Sequence, residues 1–419
     1  MRVLDVYINE SLVGALRERD DIWSFAYSAS WLKHGKYPLC PDMPLQVDER
    51  IDGSTKRYIQ WFFDNLLPEE GARALLAKDL KEDEGDSFGI LARVGAESAG
   101  ALTLVEHGSD LKEGTAQALS FHTLDARIRA LPRSPLNNEK HKRMSIAGAQ
   151  HKMLIIKSGD EFYEPGGAMP SSHILKPEHS EPDDYWQTVR NEWFVMTLAR
   201  QMGLIVPPVS VYYFPAPAYV IERFDRQGEF PKQFRIHAMD SCQTLGFSRV
   251  NKYGLSNVHN LKKFADNLRT VGLAKISILR WAIFNAIVGN TDAHLKNLTC
   301  LVSASGLSLS PMYDLVSTAI YSEPGHHLDC ELSQKMGKAN TLGELTRDDV
   351  VDFGLGLGLP EMLTIKELNK MLGSVEDKAE VLYQEVEVLP GVTNRAGELR
   401  MLRQIKVLMI EEMVARLRE

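Results

Sequence analysis

Three side chains in the second half of the chain have the types and spacing for phosphoryl transfer. Thr291-Asp292-Ala293-His294-Leu295-Lys296-Asn297 carries an Asp and an Asn separated by four residues, and Met312-Tyr313-Asp314 follows with a second Asp. Kinases use this arrangement. The first Asp accepts the proton of the attacking hydroxyl. The Asn offers its amide oxygen to Mg²⁺, and the second carboxylate binds Mg²⁺ beside the phosphates. Asp292 would be the catalytic base, with Asn297 and Asp314 the metal ligands. Asp and Asn are also common in plain turns, so the flanking elements matter. The apolar run Ile276 to Val288 reads as a buried helix that ends at Gly289-Asn290. Leu298 to Val302 and Leu307 to Leu309 read as a hairpin turning at Ala304-Ser305-Gly306. Asp292 to Asn297 would then form a loop after a helix, and Asp314 would follow a strand.

Phosphoryl transfer also needs groups that hold the nucleotide. Ser145-Ile-Ala-Gly-Ala-Gln-His-Lys152 lies between two strand-like segments, and its small residues at 147–149 would let backbone N–H groups approach phosphate oxygens. A simple hairpin turn is the alternative. Lys176 ends the apolar strand His173-Ile174-Leu175-Lys176, where a lysine can pair with α- and β-phosphates. Glu192, on the following helix, is a candidate to orient it. Tyr219 to Asp225 stands where a hinge to adenine should be, with the backbone groups of Glu222 and Phe224 available. His294 suits either a place near the phosphates or a packing role. Gly325-His326-His327 reads as a loop, because adjacent side chains rarely ligate one metal together.

The bulk composition narrows the class. The chain has 419 residues, 44% apolar and 25% charged, which is ordinary for a globular protein able to bury a large core in two or three subdomains. No uninterrupted apolar run reaches membrane-spanning length, and the N-terminus lacks a secretory pattern, so a cytoplasmic location is expected. Cys40, Cys242, Cys300 and Cys330 are scattered and read as buried, reduced thiols. A net charge of −8 disfavours unaided DNA binding. The densest basic stretch, Lys140-His-Lys-Arg143, reads as a solvated loop, with a contact to nucleic acid or phosphate as the alternative.

Along the chain, Val3–Ile8 and Leu12–Leu16 read as a hairpin, and Trp23–Tyr27 as a third strand. Ile59–Leu67 and Glu69–Leu80 read as helices, Phe88–Val94 as helix or strand, and Gly100–Val105 as a strand. Residues 107–143 read as a polar connector or mobile loop. Strands follow at Met144–Ala147, Met153–Lys157, Ser172–Lys176, Val209–Phe214 and Tyr219–Arg223, interrupted by an amphipathic helix at Tyr185–Gln201. After Arg226 the chain reads as mostly helical, ending in a helix capped by Asn394. The expectation is an α+β, bilobal protein-kinase-like fold: an N-terminal α+β subdomain (1–110), the remainder of a sheet-rich N-lobe (111–226) and a helical C-lobe (227–419).

Taken together, Ser145-Ile-Ala-Gly-Ala-Gln-His-Lys152, His173-Ile-Leu-Lys176, Ile221-Glu-Arg-Phe-Asp-Arg226, Cys242-Gln-Thr-Leu-Gly246, Asn290 to Asn297 and Tyr313-Asp314 closely resemble the HipA family of serine/threonine kinases. Phe63-Asp-Asn-Leu-Leu-Pro68 and Val94 to Ala101 resemble that family's N-terminal part. The resemblance covers nearly the whole chain. It implies a toxin of a bacterial toxin–antitoxin module that uses ATP and Mg²⁺ to phosphorylate a translation protein such as glutamyl-tRNA synthetase. It also implies a HipB-type helix-turn-helix antitoxin, through which operator DNA is bound. It assigns Asp292 as catalytic base. The nucleotide contacts would be Ala147, Gly148, Ala149, Gln150, His151, Lys152, Lys176, Glu222, Arg223, Phe224, His294, Leu295, Lys296, Asn297, Tyr313 and Asp314. Ser145 matches an autophosphorylated serine whose modification switches the kinase off, consistent with the charge a phosphoryl group adds beside ATP. His151 departs from the acidic residue usual before the loop lysine. Two other readings are a small-molecule kinase of the aminoglycoside or choline type, and an inactive kinase-fold module in a repressor complex.

Overall fold

The computed structural model describes residues 1–35, 37–131 and 151–419. The chain divides into two compact units, each discontinuous in sequence. The first comprises Met1–Lys176, Glu222–Asn251 and Thr299–Ser308; the second comprises Pro177–Ile221, Lys252–Leu298 and Leu309–Glu419.

The first unit opens with β1 (Arg2–Ile8), β2 (Ser11–Arg19), β3 (Ile22–Tyr27), β4 (Arg50–Ile51) and β5 (Leu102–Glu106), in the order β4-β3-β2-β1-β5. Alternation with period two buries Leu4, Val6 and Ile8 of β1, and Trp23 and Phe25 of β3. The helix α1 (Ala29–His34) follows β3, and α2 (Tyr58–Asp64) lays Phe63 against Phe25 at 6.0 Å. Further on, α3 (Glu70–Leu80) precedes α4 (Ser87–Val94), whose Phe88 meets Trp23 edge-on at 5.1 Å. Phe88–Val94, open between helix and strand by sequence, is helical. Its Asp86 cap accepts the Gly89 N–H.

The expected connector at 107–143 is corrected over its described part. It contains β6 (Thr115–Leu119) and α5 (Phe121–Ala130). β6 is a strand because it pairs antiparallel with β8 (Glu161–Gly166), Gln117 facing Glu164, and a distant partner leaves no local signal. Pro165 and Gly166 likewise hid β8. For α5 there was a signal: Ser120 caps Thr123, and Leu124 and Ile128 are buried four residues apart. β7 (Met153–Ser158) pairs with β8 and with β9 (His173–Pro177), Leu154 facing Ile174. The Met144–Ala147 strand lies outside the described residues. Nor is the chain uniformly helical after Arg226. β12 (Arg226–Gln227) pairs with β13 (Phe234–Arg235), and β14 (Ala238–Asp240), β15 (Thr299–Ser303) and β16 (Gly306–Leu309) form a sheet after the short α7 (Ser241–Thr244) is counted in between.

The second unit holds the ribbon β10 (Val209–Tyr213) and β11 (Pro217–Glu222), with Val211 facing Tyr219. It also holds α6 (Thr188–Gln201), which starts later than Tyr185 because Gln187 sits in the left-handed region at φ 53°. After α8 (Val258–Asp266) comes α9 (Val271–Val288), which by length and composition alone could cross a membrane. Here it is a core helix: Trp281, Ile283, Phe284 and Ile287 are fully buried, while Lys275 pairs with Asp266 and Arg280 with Glu367. β17 (Glu331–Met336) and β18 (Ala339–Thr341) form a ribbon. The helices Arg347–Gly356, Glu361–Leu372 and Val375–Val388 follow, then a continuous helical stretch from Arg395 to Arg418, capped by Asn394 as expected. Cys40, Cys242 and Cys300 are buried, whereas Cys330 is half-buried; all are free thiols.

Candidate active site

Asp292, Asn297 and Asp314, the three residues expected to carry the chemistry, all lie within the second unit. α9 ends at Gly289 with φ 67°, a left-handed cap that turns the chain out of the helix. A Cβ at Gly289 would come within 2.6 Å of Met409 Cε, so this close approach requires glycine. An amide relay then carries the helix end to Asp292. Asn285 Nδ2 donates to Trp281 O at 2.9 Å, Asn290 Nδ2 donates to Asn285 Oδ1 at 2.8 Å, and Asp292 N–H donates to Asn290 Oδ1 at 3.1 Å. Asn285 and Asn290 are buried and Asp292 is exposed, so a rigid interior holds a carboxylate that faces solvent.

Leu295–Asn297 forms one tight helical turn. Asn297 Oδ1 accepts the His294 N–H at 2.9 Å, and Asn297 Nδ2 donates to Asp314 Oδ2 at 3.2 Å. The backbone donor thereby sets which way the amide points, and the oxygen keeps a second lone pair. Asp314 itself adopts φ 59°, an uncommon left-handed conformation for a residue with a side chain, of the kind that concentrates at functional sites.

The two loops are tied together along their length. Tyr313 Oη donates to Lys296 O at 2.7 Å, and Thr291 N–H donates to Thr318 Oγ1 at 2.6 Å. The Thr318 and Ala319 N–H groups both donate to Gly289 O, at 3.0 and 2.9 Å. On the other side Asn191 of α6 clamps the backbone of Ser317 from both ends: Nδ2 donates to Ser317 O at 2.8 Å and Oδ1 accepts Ser317 N–H at 2.9 Å. Neighbouring Glu192 is also buried. Burial first, then the negative charges of Glu192 and Asp314, push the Tyr219 phenol well above its ordinary value.

Two protein oxygens from Asn297 and Asp314 suit Mg²⁺, which keeps waters and takes phosphate oxygens for the rest of its octahedron. Among the described residues no three His, Cys, Asp or Glu side chains converge, and a two-ligand site of this type does not need them. When bound, Mg²⁺ would neutralise charge developing on the phosphates.

The remaining predicted residues distribute as follows. His294, Leu295, Lys296 and Tyr313 join the trio, and the first three are buried. Lys176, buried near the end of β9, belongs to the first unit, as do half-buried His151 and Lys152 just before β7. Glu222 is exposed and Phe224 half-buried. The Arg223 side chain is committed elsewhere. It grips Asp225 with Nε at 2.9 Å and Nη2 at 2.7 Å, and it reaches Ser98 O and Glu97. Glu97 also pairs with Arg226 at 2.8 Å and with Arg235. Burial would raise its carboxyl, but Arg235, Arg226 and Arg223 hold it down at about 2. The strings Val94–Ala101 and Ile221–Arg226 are thus two halves of one buried ion cluster, which fixes the backbone at 222–226. Ser145, Ala147, Gly148, Ala149 and Gln150 lie outside the described residues. Sequence reasoning gave no supporting role to the Asn191 and Asn290 side chains; of the two, only Asn290, adjoining the Asp292 string, carried a local signal.

Comparison with known proteins places the fold. Residues 4–105 match the HipA N-terminal domain and residues 144–387 match the HipA-like C-terminal domain. The chain belongs to the HipA family. It is 31% identical to the serine/threonine-protein kinase toxin HipA of Shewanella oneidensis over 88% of this chain and 86% of that protein. It is also 31% identical to the putative kinase Y4mE of Sinorhizobium fredii, over 96% and 99%. The Shewanella oneidensis HipA–HipB–operator DNA complex aligns with a TM-score of 0.81 at 28% identity, covering 98% of this chain and 97% of that one. The α+β, kinase-like HipA fold expected from the sequence is therefore the fold of this protein.

Proposed function

We propose that this HipA-family protein is an ATP- and Mg²⁺-dependent serine/threonine protein kinase acting as the toxin of a toxin–antitoxin pair. The observation that carries the reading is the trio itself. An exposed Asp292 stands on a rigid relay, and Asn297 and Asp314 are joined at 3.2 Å in the second unit. Asp292 would take the acceptor hydroxyl's proton. Asn297 and Asp314 would hold Mg²⁺, and Lys176 would pair with the α- and β-phosphates. The adenine would meet the backbone at Glu222 and Phe224, since the Arg223 side chain is tied up in its ion pairs. Ser145 is the proposed autophosphorylation site, and Ala147 to Lys152 the proposed phosphate loop. The expected substrate is a translation protein such as glutamyl-tRNA synthetase. The expected partner is a HipB-type antitoxin, and a net charge of −8 favours reaching operator DNA through such a partner.

The test is intact mass and peptide mapping after incubation with Mg-ATP, comparing wild type with Asp292→Asn. One phosphoryl group on Ser145 in the wild type and none in the variant supports the reading. No phosphate on either, with the purified protein also unmodified, shifts the activity to a small-molecule acceptor or to a non-catalytic module.

A further inference from the structure

The catalytic base already holds a hydroxyl. Tyr253 Oη donates to Asp292 Oδ1 at 2.5 Å, the contact that a phosphoacceptor hydroxyl must make with a general base. The Tyr253 ring stands edge-on to His294 at 4.9 Å between centroids, and Lys252 Nζ lies 5.0 Å from the ring centre. The backbone beneath it is anchored to the catalytic loop at two places. Lys252 O accepts the Leu295 N–H at 3.3 Å, and Ser256 bonds Gln334, whose Nε2 donates to Ala293 O at 2.7 Å. The residue, by contrast, is 49% exposed. A fixed backbone with a solvent-facing side chain describes a group that can rotate away without disturbing the loop that carries Asp292.

We infer that Tyr253 is a gate on the acceptor position: its phenol stands in for the acceptor hydroxyl and must swing out before a protein serine or threonine reaches Asp292. This rests on the kinase reading above. The gate would also suppress idle turnover. In hydrolysis, water oxygen forms the new bond to the γ-phosphorus, the bond from that phosphorus to the ADP oxygen breaks, and the water proton passes to Asp292. With Tyr253 on Oδ1, water competes with a bound phenol for the base.

The experiment uses the full chain without acceptor protein. Tyr253→Phe keeps the ring and removes only the hydroxyl. Mg-ATP hydrolysis should rise by about tenfold or more, the scale of losing a hydrogen bond to a charged group, with KM for ATP unchanged. The rise should vanish in the Tyr253→Phe/Asp292→Asn double variant. Unchanged or slower hydrolysis, or a rise that survives Asp292→Asn, overturns the gate. A second readout needs neither nucleotide nor metal: 3-fluorotyrosine at position 253 should change its ¹⁹F shift when Asp292 becomes Ala, and no change overturns the contact. Failure of the kinase reading has its own signature. Neither wild type nor Tyr253→Phe then shows Asp292-dependent turnover although the ¹⁹F shift moves, and the gate falls with that reading.

Discussion

Replacing Asn191 by Ala removes the clamp between α6 and the segment that follows Asp314. Asn191 and Ser317 are both fully buried. The wild-type amide satisfies the Ser317 N–H and C=O at 2.9 and 2.8 Å and reaches Tyr321 Oη at 3.0 Å. Alanine leaves the Ser317 N–H with no replacement for that acceptor and leaves its carbonyl without that donor. A buried polar group deprived of its partner costs about 1–3 kcal/mol. With two such groups affected and partial relaxation, the expected loss is about 2–4 kcal/mol, large against the scatter of surface substitutions. The urea midpoint of the full chain should fall accordingly. A functional consequence should accompany it, because Ser317 lies three residues beyond Asp314. Asp314 is the proposed metal ligand, and loosening the support of such a ligand typically weakens metal affinity by about 10–100-fold, so the Mg²⁺ concentration needed for half-maximal autophosphorylation should rise by at least the lower figure. An unchanged midpoint together with an unchanged Mg²⁺ requirement would refute the clamp. A lower midpoint with the Mg²⁺ requirement unaltered would confine Asn191 to folding.

Asp314→Asn removes the carboxylate that meets Asn297, so calorimetric affinity for Mg-ATP should drop by about tenfold or more while affinity for ATP without metal changes little; equal affinities for Mg-ATP in the two proteins would exclude its metal role. Glu97→Gln deletes one of the two acids balancing Arg223, Arg226 and Arg235, and breaking a buried pair costs about 3–5 kcal/mol. A urea midpoint equal to wild type would show that the cluster does not depend on that charge. Acid should also destabilise the fold in two stages. Burial holds His237 at about 4 despite its hydrogen bond to Leu39 O, and burial with the Lys157 charge holds His173 at about 4. Both values lie below the ordinary 6.5, so the unfolded chain binds protons that the folded one refuses. Stability should be full above 6.5 and decline as pH falls towards 4, and the depressed Glu97 should add a second loss from 4.5 towards 2. A urea midpoint that stays level from 6.5 down to 4.5 would contradict the histidine assignment.

The sequence by itself determined which three residues are proposed for the chemistry and most of the elements around them. Asp292 and Asn297 lie within one short loop, where spacing along the chain nearly sets spacing in space, and Asp314 follows soon after. The hairpin at the N-terminus, α9 with its glycine cap, and the Asn394-capped terminal helix were legible for the same reason, since period and caps are local properties. The tertiary structure decided the contacts between distant residues, each of which had many available partners along the chain. Gln117 became part of a strand by facing Glu164. Glu97 found three arginines far along the chain, and the Arg223 side chain is held in that buried pairing because an isolated charge there would be costly. Asn191 met Ser317 and Tyr253 met Asp292 through folding alone. Asn, Ser and Tyr are common enough that their types predict no partner. Geometry selects one, and that choice converts a recognisable set of catalytic residues into a site with a support and a proposed gate.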